Sequence, residues 1–147
     1  MTEIAFHFNA ADKLAYACRL LRKAFNAQAQ VVVVAEASDL ATLDAQLWTF
    51  SALEFIPHCN AQAPAGLLSA SPIVLTSSLE LSVPWPHHQV LVNLDQQVPI
   101  GFEKFERVVE VVTLDEQERQ QARVRWKHYA DRGYPIVRHD LALKENA

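Results

Sequence analysis

The sequence predicts an α/β fold built on a mostly parallel sheet, and two observations near its start carry that prediction. The first is order: an alternating apolar segment at Ile4–Phe8, a helical apolar period at Leu14–Phe25, an unbroken β-branched run at Val31–Val34 and a second helical period at Leu40–Leu47 follow one another. The second is the valine run itself. It has no in–out alternation, which suits a strand covered on both faces, as the strands of a parallel sheet are. A βαβα order packs most simply as a parallel sheet with crossover helices.

Each element has its own signal. Ile4, Phe6 and Phe8 alternate with Ala5 and His7, the period of a strand. Asn9 precedes Asp12 by three residues, a weak capping-box start for the first helix, whose apolar stripe is Leu14, Cys18, Leu21 and Phe25. Ser38 is a good N-cap for the second helix, which carries Leu40, Leu43 and Leu47 and runs to Trp48. Residues Ser51 to Ser71, with Pro57, Pro64 and Gly66, read as a long loop. Ile73–Thr76 is a candidate strand, Pro84-Trp85-Pro86 a rigid turn, and Val90–Leu94 another strand. Phe102–Phe105 suggests one helical turn and Arg107–Val112 a strand. Leu114 to Asp131, rich in Glu, Gln, Arg and Ala, reads as a long helix that Gly133 ends. Residues 135–147 are expected to be a loosely held tail of a single domain spanning 1–147.

Composition narrows the function. Half of the 147 residues are apolar and a fifth charged, enough for a packed core. The net charge of −4 argues against a domain that coats nucleic acid non-specifically. The opening MTEIAFHFNA has no basic stretch leading into an apolar run, and the longest purely apolar run is Val31–Ala35, so a cytoplasmic protein without a membrane span is expected. Cys18 and Cys59 show no C-x-x-C spacing. Cys18 falls on an apolar helix face, where a small buried hydrophobe is expected.

Motifs for chemistry are missing. A Rossmann-like βαβ start invites a nucleotide, but the sequence has three glycines, Gly66, Gly101 and Gly133, and neither a G-x-G-x-x-G nor a Walker loop. The turn after the first strand reads Asn9-Ala10-Ala11, whose Cβ atoms would obstruct a pyrophosphate. No serine sits in G-x-S-x-G. His87-His88 and His58-Cys59 are adjacent pairs, which on a strand point to opposite faces and seldom share an ion. Glu103, Glu106 and Glu110 read as solvated. Neither catalytic residues nor a cofactor or metal site is expected, and the rival is a small α/β hydrolase or transferase whose site converges from distant segments.

Two features remain. On the long helix, Arg119, Arg123 and Lys127 span ~80° of arc, with Trp126 ~20° to the other side of Arg119 and Ala122 and Tyr129 continuing toward the core. A basic stripe flanking an aromatic edge can dock an acidic peptide with an apolar end. An ordinary amphipathic helix with a solvated charged face reads the same spacing equally well. The other feature is an apolar elbow, Leu47 to His58, whose Trp48 and Phe55 are either folded inward or covered by a partner.

Taken in order, these segments resemble the chi-subunit family of bacterial DNA polymerase III. The points of resemblance are the F-x-F strand before a helix, the run Leu47, Trp48, Phe55, Pro57 and His58, and the run Ala122, Arg123, Arg125, Trp126, Lys127, Tyr129, Gly133 and Tyr134. Trp126 stands where tyrosine is expected, and residues 60–88 match no family pattern. The resemblance implies a Rossmann-like three-layer fold without a nucleotide-binding glycine loop, and a non-catalytic role in replication between two partners. It assigns the acidic C-terminal tail of single-stranded-DNA-binding protein to Arg123, Trp126, Lys127, Arg119, Val112 and Tyr129. It assigns the psi subunit of the clamp loader to Trp48, Phe55 and Pro57, a surface that a helicase could also use. DNA contact is expected to be mostly indirect.

Overall fold

The computed structural model describes residues 2–49, 58–60, 72–77, 79 and 87–142, with the side chains of all but 48, 49 and 60. The psi-facing residues Phe55 and Pro57, the Pro84-Trp85-Pro86 turn and the side chain of Trp48 lie outside this description.

One seven-stranded sheet organises the chain: β1 (Glu3–Ala10), β2 (Val31–Val34), β3 (His58–Asn60), β4 (Ile73–Thr76), β5 (Val90–Asn93), β6 (Arg107–Thr113) and β7 (Ile136–Asp140). Its spatial order is β3-β4-β2-β5-β6-β1-β7, and every pairing is parallel. Helices α1 (Lys13–Asn26) and α2 (Ala37–Thr49) cover one face, while α3 (Glu116–Asp131) and a 3-10 turn (Phe102–Lys104) cover the other.

The valine run shows why the sheet sits in the middle. Val31 and Val33 pack with Leu21, Leu43 and Leu47 on the α1/α2 side, and Val32 and Val34 pack with Phe102 and Phe105 on the α3 side. Because strand side chains alternate, a strand between two apolar layers must be apolar at every position.

Helix starts differ from the sequence reading in detail. Asp12 caps α1 by accepting from Ala15 N–H at 3.0 Å, whereas Asn9 takes a left-handed φ of 66° and donates its amide to Asp140 Oδ1 at 2.9 Å. Asn9 therefore ties the end of β1 to β7 and does not open the helix. Ser38 lies inside the first turn of α2, because Glu36 C=O already accepts from Leu40 N–H at 2.9 Å. α3 begins two residues after Leu114, where Asp115 accepts from Glu118 N–H at 3.0 Å.

Two expected loops are strands. Within 51–71, residues His58–Asn60 pair with β4, held by a Cys59 side chain in the α3-side core and by a His58 Nε2 contact to Asp44 Oδ1 of 2.8 Å. The tail is not loose over 136–140. Gly133, at φ 77°, turns the chain out of α3, Pro135 C=O accepts from Ile4 N–H at 2.9 Å, and β7 runs alongside β1 from Ile136 to Asp140. Pro135 costs nothing here, since an edge strand has no need of its missing N–H. Leu141 then packs into the α1-side core.

A cationic and aromatic pocket beside the last helix

α3 is fixed by a buried polar network before it can present anything to solvent. Glu110, at the centre of β6, is fully buried, contrary to the solvated position read from the sequence. Its carboxylate accepts from Arg125 Nε at 2.9 Å, from the Tyr129 hydroxyl at 2.6 Å and from Asn93 Nδ2 at 3.0 Å. Arg125 also donates to Gln96 C=O at 2.9 Å, so one guanidinium fastens α3 to both the sheet and the loop after β5. Burial raises the Glu110 pKa above the ordinary carboxylate range, and Arg125, Tyr129 and Asn93 pull it back. Burial and the Glu110 charge both raise the Tyr129 phenol.

This network keeps Tyr129 off the surface that the resemblance assigns to the tail. Its ring is fully buried against Phe102, with centroids 5.1 Å apart, and no ligand on the surface reaches it. The arc from Arg119 through Trp126 continues into the core, and Tyr129 lies on the core side of it.

The other residues of the stripe converge better. A cavity of about 510 Å³ opens between α3 and the ends of β1, β6 and β7, lined by Val112, Arg119, Arg123 and Trp126 together with Phe6, Phe8, Asn9, Thr113, Ala122 and Arg138. Four of the six residues assigned to the tail thus share one pocket. Lys127 is exposed on α3 but stands outside the lining.

Local structure explains the placement. β1 alternation turns Phe6 and Phe8 to the α3 face, and Trp126 packs on Phe6 at a centroid separation of 5.1 Å. Val112 is the buried floor. The cations stand on the rim: Arg123 is 66% exposed and reaches Glu116 only at 3.8 Å, leaving its donors largely to solvent. From the opposite wall, Arg138 of β7 lies over the rings of Phe8 and Trp126. An apolar floor with cations on two walls fits an anionic ligand with an apolar end.

Arg138 is not legible in the sequence, because nothing in the pattern of 135–147 marks a strand. Phe6 and Phe8 were legible as a strand, and a strand sharing a face with a helix's aromatic edge was the available hint.

The second basic helix position near the sheet's carboxyl ends is structural. Lys13 Nζ donates to Leu94 C=O at 3.0 Å and to Glu118 Oε1 at 2.9 Å, and Glu118 also accepts from the Thr113 hydroxyl. These contacts tie the start of α1 to the end of β5 and to α3. Among the described residues no helix is long and apolar enough to cross a membrane.

These features define an α/β domain that carries a peptide-sized cationic and aromatic pocket beside its last helix. Comparison with known proteins gives that domain a family. The model of the DNA polymerase III chi subunit, HolC, matches residues 1–137. The DNA polymerase III subunit chi of Pseudomonas aeruginosa is 33% identical over 150 residues, covering 96% of this chain and 98% of that one. The chain belongs to the DNA polymerase III chi subunit family, and with it to the machinery of DNA replication.

Proposed function

We propose that this chain is a non-catalytic accessory subunit that bridges the clamp-loader complex, through psi, to the acidic C-terminal tail of single-stranded-DNA-binding protein. The observation that carries the tail contact is the shared pocket of Val112, Arg119, Arg123 and Trp126. An apolar C-terminal residue fits over Val112 against Phe6 and Trp126, while Arg123 and Arg119 at the rim take the terminal carboxylate and neighbouring acidic side chains. Lys127, one turn further along, adds long-range attraction and no pocket contact. The psi contact rests on the resemblance of the 47–58 elbow, with Trp48, Phe55 and Pro57 as its anchors. DNA is reached mainly through the tail's owner.

The test is calorimetric titration of the full chain with the tail peptide. Arg123→Ala is expected to weaken binding about tenfold or more, since hydrogen bonds to charged groups contribute about 1.5–3 kcal/mol. Affinity of the unaltered chain should fall with added salt. Unchanged affinity in Arg123→Ala removes the site assignment.

A further inference from the structure

Arg138 enters the pocket from the edge strand, opposite α3, and differs from Arg119 and Arg123 in lying over two aromatic rings. Its guanidinium carbon lies 5.4 Å from the ring centroid of Phe8 and 5.8 Å from that of Trp126. Arg123 has a distant carboxylate neighbour in Glu116 at 3.8 Å, while Arg119, among the described residues, makes no ion pair. Among the described residues Arg138 makes no ion pair. The nearest carboxylate on its own strand, Asp140, is held by Asn9 Nδ2 at 2.9 Å and by Ala142 N–H at 3.0 Å.

The ring contacts hold the guanidinium by cation–π attraction, and among the described residues none of its N–H donors makes a hydrogen bond. Two aromatic platforms therefore restrict the side chain without consuming its hydrogen-bonding capacity. Less conformational entropy is lost when an anion arrives than for an unrestrained arginine, which favours a preorganised receptor. The planar fork matches a carboxylate with two parallel hydrogen bonds.

We infer that Arg138 is a second carboxylate-binding residue of this pocket, gripping an internal acidic side chain of the bound peptide from the β7 wall while Arg123 holds the chain terminus from α3. The inference rests on the tail-binding reading above and adds to it a residue and a division of labour. The peptide is then clamped across the pocket, and spacing between its terminus and its internal acid becomes a determinant of specificity.

The experiment is a titration matrix with the full chain. Its ligands are the tail peptide and a neutralised version in which internal Asp and Glu become Asn and Gln while the terminal carboxylate is kept. Arg138→Ala is expected to bind the acidic peptide about tenfold more weakly, and Arg138→Lys, which keeps the charge but loses the fork, to recover only part of that. Against the neutralised peptide the Arg138→Ala loss should shrink to about twofold or less, whereas Arg123→Ala should still weaken binding severalfold. Thermal unfolding of each variant confirms that it is folded. Equal affinity of Arg138→Ala and the unaltered chain for the acidic peptide overturns the inference, as does an equal loss against both peptides. If the unaltered chain ignores the acidic peptide, the tail reading itself has failed and the clamp falls with it.

Discussion

Arg125 offers the sharpest probe of what holds the pocket's main wall in place. It sits in the same sequence run as Arg123 and Lys127, yet it is only 5% exposed and bound to a fully buried Glu110. Replacing it with methionine keeps the apolar stem and removes the charge. Removing one member of a buried ion pair costs about 3–5 kcal/mol, because the other charge stays behind without compensation. Tyr129 and Asn93 still donate to Glu110 in the variant, which places the cost near the lower end, about 3 kcal/mol. For a domain of this size that corresponds to a fall in Tm of about 6–12 °C.

The pH dependence has a definite sign. Burial holds the Glu110 pKa above the ordinary carboxylate range, and the Arg125 charge is the largest influence opposing it. Arg125→Met therefore raises that pKa further. A carboxyl whose folded pKa is raised contributes stability below its unfolded pKa and loses it as pH rises through the folded value. The deficit of the variant should be larger at about pH 8 than at about pH 5, because lowering the pH favours the protonated carboxyl whose pKa the substitution raises. Urea unfolding at both pH values measures it. A deficit under about 1 kcal/mol, or one that does not change with pH, refutes the account of Glu110 as a buried charge that Arg125 balances.

Two further outcomes follow from local geometry. Gly133 has a φ of 77° with nothing within 4 Å of an added Cβ, so Gly133→Ala should cost about 1–2 kcal/mol in denaturant unfolding through backbone strain alone. Cys18 is buried with its pKa raised to about 11 by burial and by Asp12, partly offset by Arg19, so its thiolate is scarce at neutral pH. Alkylation at about pH 8 should be slow in the folded chain and rapid in denaturant, and equal rates in both would contradict that burial.

Much of this architecture is visible in the residues, and the part that is not has physical causes. The valine run announces a central strand because both of its faces need apolar cover. Arg119, Arg123 and Trp126 can be grouped in advance because one helix fixes their relative angles. Glu110 and Arg125 cannot, because a buried ion pair leaves each partner looking like an ordinary surface charge until the two are brought together. His58–Asn60 is too short to display a period. In β7 only Ile136 and Val137 are apolar, so its strand character comes from hydrogen bonds to β1 more than from any pattern of its own. Tyr129 lies beyond Trp126 on a continuous arc, and spacing alone does not say where that arc passes from pocket to core.

The walls of the pocket also set a schedule. Phe6, Phe8 and Asn9 come before Arg119 to Trp126 in the chain, and Arg138 follows both. During synthesis β1 therefore has one flank unpaired, and the pocket lacks a wall, until β7 joins it. The pocket thus forms only when segments far apart in the sequence have come together on one sheet.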